Sequence, residues 1–421
     1  MARLSAPRGT TDILPAEARR WAGLESAMRE VFARYGYGEI RTPIFEHTEL
    51  FARGIGEDTD VVEKEMYSFE DRGERSLTLR PEGTAGAVRA YLERRLDTEP
   101  QPVKLWYAGP MFRYERPQAG RARQFHQLGA ECIGTEDPAA DVEVIAMVAA
   151  LFRRLGLTKY ELHLNSIGCP ECRPAYVRKL RAALEPVRGS LCKSCQDRFE
   201  RNTLRVLDCK RESCRELTKN APVILDSLCR DCDGHFAQVR RYLDELAIPY
   251  VINTRLVRGL DYYTRTVFEF LSPHLGAQDA LGGGGRYDGL VETLGGPPTP
   301  AVGFAAGMER ILLATEGLDQ PETASVDAYV ATLGDAGRRV GVVLAERLRR
   351  VGLRVELDYM ERSLRAQMRQ ANRLGAKSVL IIGDDEAAAG TVQLRDMESG
   401  AERTVGIDEV EHALDEKRGG E

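Results

Sequence analysis

The chain reads as an α+β domain built on an antiparallel sheet, interrupted by a cysteine-rich insertion and followed by a C-terminal α/β domain. Three observations predict this. A length of 421 residues exceeds what one ordinary core supports and favours two or three domains. Strand-like stretches at 104–114 and 123–134 flank a polar, basic, glycine-containing segment, which makes a long-looped antiparallel hairpin. After 317–325, a polar linker containing Pro321, strands begin to alternate with helices. The first domain is therefore placed at 1–325, with the insertion at about 169–236, and the second at 326–421.

Along the first domain, Trp21, Leu24, Met28, Val31 and Tyr35 repeat at three- and four-residue steps behind Pro15, which predicts an amphipathic helix over 16–35. Gly36 and Gly38 stop it. Residues 40–45 form a short extended run whose Pro43 suits a strand end or an edge. Pro138 and Asp141 open a helix that runs to Leu155 and stops at Gly156, and Tyr160, Leu162 and Leu164 then alternate as a strand. The main fold resumes near Tyr250. Residues 256–271 read as strand, Gly282 to Gly285 as a glycine run, and 302–314 as a strand entering a helix. In the second domain, strands at 327–332, 354–357 and 379–382 are separated by helices near 336–351 and 363–374. No fixed-period repeat is visible.

Hydrophobic residues at 43% and charged residues at 29% are ordinary for a globular chain and exclude disorder and fibre. The first twenty or so residues lack the apolar core of a secretory signal, and the most apolar run, 144–152, is too short to span a bilayer. A cytoplasmic protein with no membrane partner is expected. Net charge is −6, so any nucleic-acid binding must come from local basic patches.

The common nucleotide cradles are missing. No Gly-Lys dipeptide exists, which removes the Walker-type loop, and Gly282 to Gly285 lead into Arg286 and Tyr287 rather than into a helix at dinucleotide-binding spacing. A phosphate site must then use side-chain cations. Arg113, Arg116, Arg121 and Arg123 crowd the hairpin at 112–127, and planar guanidiniums match phosphate oxygens in bidentate fashion. Taken alone, the same loop also fits a solvated basic surface.

The hairpin resembles motif 2 of the class II aminoacyl-tRNA synthetases in its histidine-specific form. Residues 301–310, closing on Arg310, are similar to motif 3, and 40–45 with Pro43 resemble motif 1 at a dimer interface. Leu79-Arg80-Pro81-Glu82-Gly83-Thr84, Leu256-Val257-Arg258-Gly259-Leu260-Asp261-Tyr262-Tyr263 and Gly284-Gly285-Arg286-Tyr287-Asp288-Gly289 resemble stretches particular to the histidyl-tRNA synthetase family. The likeness covers nearly the whole chain in order. It implies a class II catalytic domain, a C-terminal anticodon-binding domain, ATP with Mg²⁺, and a homodimer acting on L-histidine and tRNA(His) through a histidyl-adenylate.

By that resemblance Arg113 and Arg258 stabilise charge at the ATP α-phosphate, where electrostatic preorganisation is the strongest available means. Arg310 holds the γ-phosphate, and Arg121 and Arg123 help grip ATP or the tRNA end. Glu82, Gly83 and Thr84 receive the amino group of histidine, Gln127 orients it, Glu131 with Tyr263 addresses the ring, and Tyr262 and Tyr287 line it. For Arg258 the bland alternative is a core ion pair with Asp261 or Glu269; for Tyr262 and Tyr263 it is strand core.

Eight of the nine cysteines fall in pairs: Cys169 with Cys172, Cys192 with Cys195, Cys209 with Cys214, and Cys229 with Cys232. Two-residue separations let paired thiolates meet one tetrahedral ion, so one or two structural zinc sites fit the spacing; unbound thiols fit it too. In the second domain Arg362, Arg365, Arg369 and Arg373 lie opposite an apolar stripe of Leu364, Met368, Ala371 and Leu374, which reads as a nucleic-acid face or a solvated one. Two rivals remain: a histidine-sensing synthetase paralogue without catalysis, and a zinc-stabilised nucleic-acid binder.

Overall fold

The computed structural model describes residues 4–57, 59–118, 120–316 and 326–418; the linker expected at 317–325 lies outside them. The chain divides into two compact units between Asp319 and Gln320. Unit one is organised on an eight-stranded sheet of β1 (Gly38–Glu39), β2 (Val103–Phe112), β3 (Gln124–Ile133), β4 (Glu161–Ser166), β5 (Val251–Ile252), β6 (Thr264–Leu271), β7 (Ala280–Arg286) and β8 (Ala301–Gly307), in the order β1-β2-β3-β8-β7-β6-β4-β5. The outermost pairs, β1 with β2 and β4 with β5, are parallel, and every pair between them is antiparallel.

The expected hairpin is the pair β2 and β3, registered from Val103 opposite Ile133 to Phe112 opposite Gln124. Against one sheet face pack helices α1 (Pro15–Arg34) and α3 (Pro138–Arg154), with α2 (Thr84–Glu93) elsewhere in the unit. Trp21, Leu24, Met28 and Val31 are all buried as the periodicity predicts, in one cluster with Trp106, Leu128, Phe268 and Phe304. Asp137 caps α3 by accepting from the Ala139 amide at 2.9 Å, with Pro138 at the first helical position.

Two expectations need correction, and the glycine run takes on a definite conformation. Residues 40–44 are not a strand: β1 ends at Glu39, and Phe45–His47 belongs to a separate three-stranded sheet with Tyr67–Glu70 and Ser76–Leu79, so the Pro43 segment is a crossing between two sheets. The glycine run is itself a central strand. A Cβ on Gly284 would sit 2.0 Å from the Gly303 carbonyl oxygen, and one on Gly282 would sit 2.4 Å from Ala306 Cβ, so glycine there reflects close strand approach. Finally, 256–263 is an arch before β6, because its backbone amides bond outside any ladder: Leu256 to the Asn253 carbonyl at 2.9 Å and Asp261 to the Ile55 carbonyl at 3.0 Å.

Between β4 and β5 the chain is helical and strand-free, with α4 (Arg173–Leu184), α5 (Lys193–Arg201) and α6 (Arg230–Glu245) among its elements. Tyr176, Leu180, Phe199 and Val206 give it a core of its own, shared with Leu256, Val257 and Tyr263 of the arch.

Unit two is a five-stranded sheet of β9 (Ala328–Thr332), β10 (Val355–Leu357), β11 (Ser378–Ile382), β12 (Thr391–Asp396) and β13 (Glu402–Gly406), ordered β10-β9-β11-β12-β13, with helices α8 (Gly334–Arg350) and α9 (Leu364–Arg373); α7 (Met308–Ala314) closes the first unit. The β12–β13 hairpin escapes the sequence pattern because β13 buries only Val405. On α9, Arg365, Arg369 and Arg373 are exposed while Gln367 is buried and bonds both backbone groups of Thr332, at 3.0 and 2.8 Å.

Candidate active site

Beside the sheet lies a cavity of about 1080 Å³ lined by Arg113, Arg121, Gln127, Arg258, Tyr262, Tyr263 and Arg310 together with Glu82 and Thr84. Segments far apart in sequence therefore supply one concave surface. Arg113 sits just beyond β2, its Nε donating to the Pro81 carbonyl at 2.9 Å and its guanidinium over the Phe125 ring at 5.4 Å. Arg310, in the first turn of α7, donates to the carbonyls of Gly120 at 3.0 Å and Ala280 at 2.8 Å. Burial, with Arg121 and Arg113 close by, lowers its pKa below the ordinary arginine value, yet a guanidinium stays charged at any neutral pH. Arg121 pairs with Glu115 at 2.8 Å.

Arg258 does make the ion pair raised as its bland alternative, donating to Glu269 at 2.8 Å. Both partners face the cavity, so the pair is part of its wall rather than of the core. Among the lining residues, Arg205 Nε, Arg258 Nε and Gln127 Oε1 are buried without a hydrogen-bond partner. An unsatisfied buried group costs about 1–3 kcal/mol.

Four expected residues stand elsewhere. Glu131 and Tyr287 lie behind the lining, fully buried. Glu131 accepts from the hydroxyls of Thr84 at 2.8 Å, Tyr107 at 3.0 Å and Tyr287 at 2.5 Å, and of these three Thr84 is the one that lines the cavity. Gly83 is also outside the lining; a Cβ there would meet the Tyr107 ring at 2.1 Å. Arg123 is outside the lining too, with its guanidinium 3.9 Å above the Tyr114 ring and its Nε on the Glu115 carbonyl at 3.3 Å. Glu82 spends both carboxylate oxygens on the start of α2, accepting from the amides of Thr84 at 2.6 Å and Ala85 at 2.9 Å.

Sequence reasoning missed Tyr107, the residue that Gly83 and Gly129 make room for. It also missed Glu309, which holds His126 by accepting from its backbone amide at 2.8 Å, and the charged rim of the insertion, Arg198, Arg205 and Asp208. Those rim residues carried no recognisable motif; only the fold brings them to the cavity.

Burial pushes Glu131 up from 4.5 to about 8, and it also raises Glu82. The folded protein thus holds a proton on Glu131 that the unfolded chain has already released, and raising pH favours unfolding over that interval. Stability should decline between pH 4.5 and about 8, and Glu131→Gln should flatten that part of the profile. Urea denaturation of both proteins across the range checks this; parallel slopes would count against it.

The comparisons agree with this geometry. The family profile described as histidyl-tRNA synthetase matches residues 9–311, and that of the anticodon binding domain matches residues 327–417. A histidine–tRNA ligase of Desulforamulus reducens is 55% identical over 406 residues, covering 96% of this chain and 97% of that protein. One from Pelotomaculum thermopropionicum is 55% identical over 413 residues, covering 98% and 97%. The apo crystal structure of the Staphylococcus aureus histidyl-tRNA synthetase superposes with a TM-score of 0.82 at 40% identity, covering 98% of this chain and all of that one. With a cavity of converging guanidiniums, a class II sheet and a C-terminal anticodon-binding domain in the same order, the chain belongs to the histidyl-tRNA synthetase family.

Proposed function

We propose that the protein attaches L-histidine to tRNA(His), using ATP to form a histidyl-adenylate and releasing AMP and diphosphate. The observation that carries this reading is the convergence of Arg113, Arg258 and Arg310 with Glu82, Thr84 and Gln127 on one cavity. A histidine carboxylate oxygen attacks the α-phosphorus, a bond forms there, and the bond to the diphosphate breaks. Arg113 and Arg258 face the negative charge that grows in that step, and their anchoring on Pro81 and Glu269 removes the reorganisation that water would need. Arg310 binds the far end of the triphosphate, with Arg121 beside it. Glu82 and Thr84 receive the ammonium group, Gln127 orients the substrate, and Tyr262 and Tyr263 flank the imidazole. Glu131, through Thr84, Tyr107 and Tyr287, fixes the floor below them.

Mg²⁺ neutralises phosphate charge in such transfers, and Glu115 and Glu269 are carboxylates of the lining that suit its preference for oxygen. The exposed arginines of α9 supply local positive charge for tRNA despite the net charge of −6. Exposed apolar Ile44, Phe45 and Phe69 support assembly as a homodimer. Among the described residues no helix is long and apolar enough to cross a membrane, and the reduced cysteines fit work in the cytoplasm.

Histidine-dependent exchange of labelled pyrophosphate into ATP tests the reading. The enzyme gives exchange that requires histidine, whereas a histidine sensor or a nucleic-acid binder gives none.

A further inference from the structure

The four cysteine pairs assemble into two separate tetrathiol clusters, Cys169/Cys172/Cys229/Cys232 and Cys192/Cys195/Cys209/Cys214, each with its ligand atoms within 4.8 Å of one another. Sulfur separations include 3.8 Å for Cys169 to Cys172, 3.8 Å for Cys169 to Cys229, 3.9 Å for Cys172 to Cys232 and 4.0 Å for Cys192 to Cys209. A disulfide would require about 2.05 Å. Four thiolates around Zn²⁺ at about 2.3 Å stand roughly 3.8 Å apart, which is the spacing seen. Backbone amides already point at the sulfurs, Cys169 N to Cys172 Sγ at 3.3 Å and Cys192 N to Cys214 Sγ at 3.2 Å, as suits thiolate charge.

What gives these clusters a part in activity is where their neighbours reach. Arg173, the residue after Cys172, donates to the Tyr263 carbonyl at 2.5 Å. Asn202, directly after the α5 helix that holds Cys195, donates to Asp261 at 2.8 Å. Thr218 donates to the Cys214 carbonyl at 2.9 Å, and its hydroxyl accepts from Arg255 at 2.7 Å. The arch at 256–263 that carries Arg258, Tyr262 and Tyr263, with Arg255 just ahead of it, is thus braced from the insertion at three points, two of them adjoining a cluster cysteine and the third at the end of the helix that holds Cys195. Cys192 and Cys209 also line the cavity themselves.

We propose that both clusters bind Zn²⁺ and that the two ions together set the position of the arch, so that metal occupancy governs histidine binding and activation. This rests on reading the cavity as the histidine-activating site. The ions act as structural anchors and take no part in phosphoryl transfer. A displacement of about 1 Å at the reacting groups can cost roughly a hundredfold in rate, so loss of either anchor reaches the chemistry without removing any group that performs it.

The test uses the full chain, untagged and purified without chelator. Elemental analysis should find two zinc ions per chain, and Cys214→Ser and Cys232→Ser should each retain one. Equilibrium dialysis should show histidine bound about tenfold or more weakly by each serine variant. Asn202→Ala, which spares every thiol, should keep both ions yet bind histidine several-fold more weakly, and it carries the test should the serine variants fail to fold. Absence of stoichiometric zinc overturns the metal sites while wild-type exchange activity still stands. Two zinc ions with histidine affinity unchanged in Asn202→Ala and the folded serine variants overturn the coupling. Wild-type protein with zinc but no histidine-dependent exchange would instead sink the functional reading itself.

Discussion

Arg258→Ala should lower histidine-dependent pyrophosphate exchange by about 10²–10³-fold, the loss typical of deleting one preorganised donor at a developing anion. The drop should fall mainly on turnover, because the guanidinium is asked to bind charge that is greatest in the transition state. The same substitution leaves Glu269, which is about a quarter exposed, without its partner, so some stability is lost as well. Arg258→Ala combined with Glu269→Gln separates the two effects: thermal stability should recover while exchange stays low. Arg258→Lys keeps the charge but not the planar fork, and intermediate exchange is expected. Turnover equal to wild type in the single alanine variant, measured by steady-state exchange kinetics, would remove Arg258 from the mechanism.

Gly303→Ala should be severely damaging. Its Cβ would lie 1.7 Å from Glu131 Oε2 and 2.6 Å from the Ala130 carbonyl oxygen, and neither can retreat. Glu131 is held by three hydroxyls, and Ala130 lies in the register of β3 with β8. Overpacking of this kind costs about 1–3 kcal/mol, and displacing Glu131 moves Thr84 at the cavity wall with it. The expected outcome is a lower denaturation midpoint together with a loss of about a hundredfold in kcat/KM for histidine. Stability and exchange both within twofold of wild type would show that the Glu131 network does not hold the floor of the site.

Much of this was readable from residues in order. Trp21, Leu24, Met28 and Val31 announce α1 because a helix buries one stripe, and the β2–β3 hairpin follows from two apolar stretches around a basic turn. Local motifs also name Arg113, Arg258 and Arg310, since a guanidinium's chemistry travels with the residue. Depth does not travel in that way. Whether Glu131 touches a ligand or supports the groups that do depends on what strand β8 places opposite it, and Gly303 is the residue that admits its carboxylate. Arg121 and Arg123 are two residues apart in one loop, yet only Arg121 reaches the cavity, because Tyr114 offers its ring to the other. The conformations of the glycine strand β7 and of the arch at 256–263 escape the sequence for a related reason: they answer to close neighbours and to amide partners in other elements, neither of which leaves a periodicity.

The long excursion that starts after β4 comes back, by way of the edge strand β5, to the rung it left. Ser166 of β4 stands opposite Thr266 of β6, and just beyond it the amides of Ile167 and Arg265 bond the carbonyls of Arg265 and Gly168, each at 2.8 Å. A detour that begins and ends at one place costs the surrounding architecture little, since doubling its length adds only about 0.6 kcal/mol of closure entropy. The helical stretch ahead of β5 can therefore change length over evolutionary time while β4 keeps its pairing with β5 and β6 and the arch keeps Arg258, Tyr262 and Tyr263 at the cavity.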